Sequence, residues 1–219
     1  MAVKTLFIND FVTHYGITTT VVADEYYVDK RLFELDDKVG CPIVSYGEGK
    51  VRFVNVPGGL DVFAYERFIY STDVTFQDRL RRCDYLLTSS STNYVVCLVE
   101  LTSSINGLEG LAQSHKDLPG GKIKKIERQL LVSLQTMLGV PAIAANFAAR
   151  QHRICIGAYR VFRHRNKKQR IKFPNNRYLQ IEEKETNPNG AHISSPAIEA
   201  LGFEYRRITH GGVFRLMNI

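Results

Sequence analysis

Two carboxylates are the residues best placed to do chemistry. Asp84 lies in Arg82-Cys83-Asp84-Tyr85-Leu86-Leu87, and Glu100 in Tyr94-Val95-Val96-Cys97-Leu98-Val99-Glu100-Leu101-Thr102. Both apolar runs are rich in β-branched and aromatic residues and are joined by the polar Thr88-Ser89-Ser90-Ser91-Thr92-Asn93, a pattern that predicts one antiparallel hairpin. Folded symmetrically about Thr92, the hairpin sets Asp84 opposite Glu100 on one face of the sheet. Like charges in a half-buried setting repel, so either one is protonated or a cation lies between them. A hard divalent cation suits the pair, because Mg²⁺ takes oxygen ligands and often only one or two protein carboxylates. Such a metal stabilises charge on a phosphate and its leaving oxygen. A nucleophilic water, and a cation or donor to position it, would complete phosphodiester hydrolysis.

Several elements must hold this pair in place. Lys50-Val51-Arg52-Phe53-Val54-Asn55-Val56 alternates with period two, as a half-buried strand does, and Pro57-Gly58-Gly59 then turns the chain. A second, aromatic strand is expected over Asp61 to Ser71, carrying Glu66 as a candidate extra acid. Ser103-Ser104-Ile105-Asn106-Gly107 opens a loop that could cover the site. The clearest element is a helix beginning near Lys122, with Ile123, Ile126, Leu130, Leu131, Leu134 and Leu138 at helical spacing before Gly139-Val140-Pro141 stops it. On a neighbouring side Lys122, Lys125 and Gln129 line up, where they either overlook a phosphate or border the buried stripe. Ile154 to Phe162 predicts a further strong strand. Elsewhere the patterning predicts a helix within Val21 to Lys38, a loop from Gly40 to Gly49, a short helix from Pro196 to Leu201 and a last strand from Gly212 to Met217.

An Asp at one strand end, a Glu near the next strand's end and then a helix carrying Gln resembles the PD-(D/E)XK nuclease superfamily, the restriction-endonuclease-like fold. The resemblance runs roughly from Val51 to Phe162, about half the chain, with Asp84 as first acid, Glu100 as second and Gln129 on the helix. It implies an α/β (α+β) fold with a mixed central sheet flanked by helices. It also implies a site holding Mg²⁺, or Mn²⁺, through Asp84, Glu100 and the carbonyl of Leu101. Where the family has a Lys that positions and polarises the attacking water, this chain has Thr102. Lys116, Lys122 or Lys125 would have to deliver the missing charge. The activity implied is Mg²⁺-dependent DNA hydrolysis, of the sort that serves restriction or anti-phage defence in bacteria. The alternative is a catalytically degenerate relative that binds nucleic acid or a partner protein without cleaving.

Composition bounds these readings. A chain of 219 residues, 44% hydrophobic, can bury a sizeable core and fits a single domain over 1–219, with the nuclease-like core at 51–162 and a basic, β-rich C-terminal extension at 163–219. The net charge of +7 is uneven, since the first two thirds are slightly acidic and the excess lies beyond Arg150. Its densest part, from Arg160 to Lys172, holds Arg160, Arg163, Arg165, Lys167, Lys168, Arg170 and Lys172 and no acid. Such a stretch attracts polyanions and is the candidate nucleic-acid contact, DNA before RNA, although a solvated basic turn or a contact to an acidic protein would look the same. A homodimer or an operon-encoded protein would be the protein partner. No segment has the length of a membrane span or the form of a signal peptide, so a cytoplasmic protein is expected. Cys41, Cys83, Cys97 and Cys155 lack zinc-site spacing and suit buried, reduced thiols. The six histidines show no paired metal spacing, and no Gly-x-Ser-x-Gly or phosphate-loop pattern occurs.

Overall fold

A computed structural model of the chain describes residues 3–35, 51–72, 82–102, 121–159, 191–209 and 213–216. Its strands are β1 (Glu25–Val28), β2 (Leu32–Leu35), β3 (Val51–Val54), β4 (Leu60–Phe63), β5 (Tyr85–Ser89), β6 (Val95–Thr102), β7 (His152–Tyr159), β8 (Ala191–His192), β9 (Glu204–Thr209) and β10 (Val213–Arg215). Helix α1 runs as three consecutive pieces, Val3–Thr5, the π-helical Leu6–Phe11 and Val12–Tyr15, and ends where Gly16 takes a left-handed φ of 61°. The other helices are α2 (Tyr65–Tyr70), α3 (Gly121–Leu138), α4 (Pro141–Ala148) and α5 (Pro196–Glu199).

The architecture is mixed α/β. One seven-stranded mixed sheet has the order β1-β4-β5-β6-β7-β9-β8, and a three-stranded sheet has the order β10-β3-β2. In the larger sheet β1, β4, β5 and β6 pair antiparallel in turn, whereas β6, β7 and β9 run parallel. A parallel pair cannot be joined by a tight turn, so α3 and α4 make the crossover from β6 to β7 and are laid on one face of the sheet.

Alternation along the strands divides the core in two. Leu86, Val96, Leu98 and Cys155 point to the helix side, among Phe7, Phe11, Ile126, Leu130, Leu134 and Phe147. Leu87, Val95, Cys97, Val99, Ile154 and Ile156 point the other way, onto Phe33, Phe53 and Phe214 of the small sheet. A strand covered on both faces must be apolar throughout, which accounts for the unbroken run Val95 to Val99. Residues beyond 162 belong to both sheets, β8 and β9 to the larger and β10 to the smaller.

Two expected elements differ in the structure. Val21 to Lys38 holds strands β1 and β2 in place of a helix, and the two join different sheets. The strand expected over Asp61 to Ser71 ends at Phe63, and Tyr65–Tyr70 is helical because Tyr65, Phe68 and Ile69, at i, i+3 and i+4, bury together on the helix-side core. The short helix near Pro196 and the last strand are present. The predicted loops at 40–49 and 103–107, and the basic stretch with Arg160, Arg163, Arg165, Lys167, Lys168, Arg170 and Lys172, lie outside the described residues. So do Cys41 and Lys116. Cys83, Cys97 and Cys155 are free and fully buried, and burial pushes each thiol up from its ordinary pKa. Among the described residues no single helix is long and apolar enough to cross a membrane. The α3–α4 pair reaches that length only together, bent by 109°.

Candidate active site

The hairpin places the acids. Tyr85 pairs with Val99, Leu86 with Leu98 and Leu87 with Cys97, so the paired register ends one residue short of both acids. The Asp84 amide donates to the carbonyl of Val99, Tyr85's own partner, at 3.0 Å, so the chain steps out of register there, with Asp84 still near enough to Glu100 for their charges to interact. Glu100 is in phase with Val96 and Leu98, on the face that α3 covers, and Cys83, just before Asp84, donates its amide to Ser133 Oγ of α3. The Asp84 carboxylate accepts the Leu101 amide at 2.5 Å, and the Asp84 carbonyl accepts the Glu66 amide at 3.1 Å. Those two bonds fasten the first acid to the second strand and to the start of α2.

Glu100 is the unusual member. It is 5% exposed, and its Oε2 has no hydrogen-bond partner among the described residues. Burial, then the charges of Asp84 and Glu66, push its carboxyl well above the usual carboxylate range. The Lys125 ammonium and a side-chain hydrogen bond from Gln129 act against that shift without cancelling it. Gln129 also donates from Nε2 to the carbonyl of Arg82 at 3.0 Å, so α3 is tied to the strand entrance beside Asp84.

Helix α3 therefore sets Gln129 over the pair and leaves Lys125, exposed, close enough for its charge to be felt there. Lys122 lies in the first turn of α3, and its side chain is outside the described ones. Thr102 ends β6, in backbone register with Tyr159 of β7. Glu100 is itself in register with Gly157. A Cβ at Gly157 would stand 2.7 Å from Ile126 Cγ2 and 3.1 Å from the Tyr205 hydroxyl, so glycine lets α3 approach the sheet beside the acid.

From sequence, Arg82 had no place beyond that of an ion-pair partner for Asp84. Its guanidinium lies 3.6 Å from the ring centroid of Tyr70, and its Nε is 3.8 Å from Glu66, which links the far end of α2 to the carboxylates. Arg150 was also missed. Buried under the hairpin turn, it donates from one terminal nitrogen to the carbonyls of Ser89 and Thr92 at 2.9 Å each and to Ser89 Oγ at 3.2 Å. It borders a cavity of about 480 Å³ lined by hydroxyl and amide side chains with Asp61. Because Glu100 is five residues along β6 from Val95, roughly 17 Å, this cavity is at the opposite end of the hairpin from the acids.

Among the described residues no three His, Cys, Asp or Glu side chains are arranged to hold a metal ion. The residues present still fit Mg²⁺, which keeps several waters and needs only one or two carboxylates, and the orphaned Glu100 oxygen facing two like charges is where a cation would be welcome. Compared with protein-family models, curated proteins and solved structures, the chain matches none.

Proposed function

We propose that Asp84 and Glu100 form the metal site of a restriction-endonuclease-like nuclease that hydrolyses DNA phosphodiester bonds with Mg²⁺ or Mn²⁺. The observation that carries this reading is the buried Glu100 carboxylate, with one oxygen unpartnered, near a second carboxylate that accepts the next amide of its strand and beneath a helix bearing Gln129 and Lys125. A bound divalent ion would stabilise charge on the phosphate and the leaving oxygen. Asp84 and Glu100 would hold it, with the Leu101 carbonyl as a further ligand on the strength of the family resemblance. Gln129 orients the Glu100 carboxylate. Lys125 takes over the task of the Lys that Thr102 replaces, setting an ammonium beside the attacking water. Arg160 to Lys172 would hold the DNA backbone.

The test is cleavage of single- and double-stranded DNA and of RNA in Mg²⁺ or Mn²⁺, with metal binding measured separately by calorimetry. Asp84→Ala and Glu100→Ala should abolish both, and Lys125→Ala should slow cleavage by about 10²-fold or more while metal binding persists. Thr102 favours a second reading, in which the fold binds without cleaving. On that reading the natural protein is inert yet binds metal, and Thr102→Lys restores weak hydrolysis. Cleavage that survives both acid substitutions would remove the nuclease reading.

A further inference from the structure

We propose that Tyr70 is a stacking platform for an unpaired nucleobase, so that the strand engaged at the carboxylates is single-stranded or frayed there. This rests on the reading of Asp84 and Glu100 as a site acting on nucleic acid, and it adds the form of the substrate.

Tyr70 is a large aromatic residue that the fold leaves 55% exposed, on a helix whose Tyr65, Phe68 and Ile69 are buried. Its place is set by two contacts. It sits one helical turn beyond Glu66, on the same side of α2. The Arg82 guanidinium lies over its ring at 3.6 Å and also faces Glu66, two residues before Asp84 in the chain. Arg82, Glu66 and the Glu66 amide bonded to the Asp84 carbonyl thus link the ring to the first acid.

Arg82 is itself held, its carbonyl accepting the Gln129 amide and its side chain mostly buried. A ring pinned by such a cation loses little freedom on receiving a base, and every base presents a π-face to it. In a continuous duplex those faces are already stacked on their neighbours. A base in a single strand, a flap or a frayed end has one to offer, with its phosphate directed to the carboxylates.

The chain contains no tryptophan, so Tyr70→Trp installs a single indole reporter. It is titrated without metal, where no cleavage is needed, against a short oligothymidylate, an abasic strand of the same length and a blunt duplex. Indole quenching by oligothymidylate and not by the other two is the expected result. In the protein that is otherwise natural, Tyr70→Ala should weaken oligothymidylate binding about tenfold, Tyr70→Phe should leave it near the natural value, and neither should alter binding of the abasic strand. Equal quenching by the abasic strand, no quenching, or a Tyr70→Ala loss shared by all three ligands would overturn the proposal. Cleavage that depends on Asp84 without quenching overturns the stacking alone. Quenching without cleavage upholds it and removes the hydrolysis.

Discussion

Glu34 and Glu100 are buried to nearly the same degree, 2% and 5% exposed, and their neighbours are opposite in kind. Across the strand from Glu34 stands Arg52, in an ion pair at 2.5 Å; near Glu100 stands Asp84, whose charge acts on it. A buried carboxylate beside a second one is held in its neutral form, and the folded protein keeps a proton on Glu100 over a pH range in which the unfolded chain has lost it. The stability that the neutral form supplies is whole below the ordinary carboxylate pKa and drains away as pH rises toward the raised folded value. Glu100→Gln, which cannot ionise, should therefore unfold at a higher temperature than the natural protein at about pH 8, with the gap closing near pH 4. Mg²⁺ should raise the melting temperature of the natural protein at the higher pH and leave the Gln variant where it was. A gap that does not change with pH would show that Glu100 does not retain its proton.

At the scale of elements, the meeting of α3 with the sheet decides how the site is shaped. Gly157→Ala would drive a methyl group against Ile126 and Tyr205 on a packed face, and overpacking of this kind costs about 1–3 kcal/mol. Denaturant unfolding should show that loss. Adding Ile126→Ala should recover part of it, giving a double variant less destabilised than the sum of the singles. Arg150→Lys should cost about 2 kcal/mol, because an ammonium cannot reproduce the planar fork that spans Ser89 and Thr92, and the loss should appear first as faster amide exchange in the hairpin turn. The hairpin and α3 were legible in the sequence because each repeats one period over many residues and has a clear stop, the polar loop in one case and Gly139-Val140-Pro141 in the other. β1 and β2 were not, since their apolar residues alternate with acids and bases in a partly helical pattern and they join different sheets. In α2 the spacing of Tyr65, Phe68 and Ile69 was helical, but the aromatic content argued for a strand and the following tertiary packing decided otherwise. The register of the hairpin could be read from sequence through the symmetry of one turn, up to Tyr85 and Val99. Arg150 reaches its turn across about 60 residues, and the Tyr70–Arg82 stack depends on where a helix end meets a strand entrance, neither of which leaves a periodic trace.

At the scale of the molecule, the parallel register brings the end of β7 beside the end of the strand that carries Glu100. Glu100 is opposite Gly157 and Thr102 opposite Tyr159, so β7 delivers the chain into its basic stretch about one strand spacing, roughly 4.8 Å, from the end of the strand that carries Glu100. The seven Arg and Lys that follow β7 in sequence would attract phosphates, whereas the slightly acidic first two thirds of the chain would do little to attract them. Affinity for DNA should accordingly fall steeply with salt, since each neutralised phosphate contributes a slope of roughly −0.9 to log K against log salt on B-DNA. Replacing Arg163, Arg165, Lys167 and Lys168 with Ala should weaken binding and flatten that slope by roughly 3 to 4 if all four contact phosphates. Metal binding by Asp84 and Glu100, measured by calorimetry, should be unchanged in the same variant, because those acids are held by β5, β6 and α3. An unaltered slope would place the phosphate contacts on another surface. A lost metal site would mean that the basic stretch supports the fold around the acids and does more than hold the strand they act on.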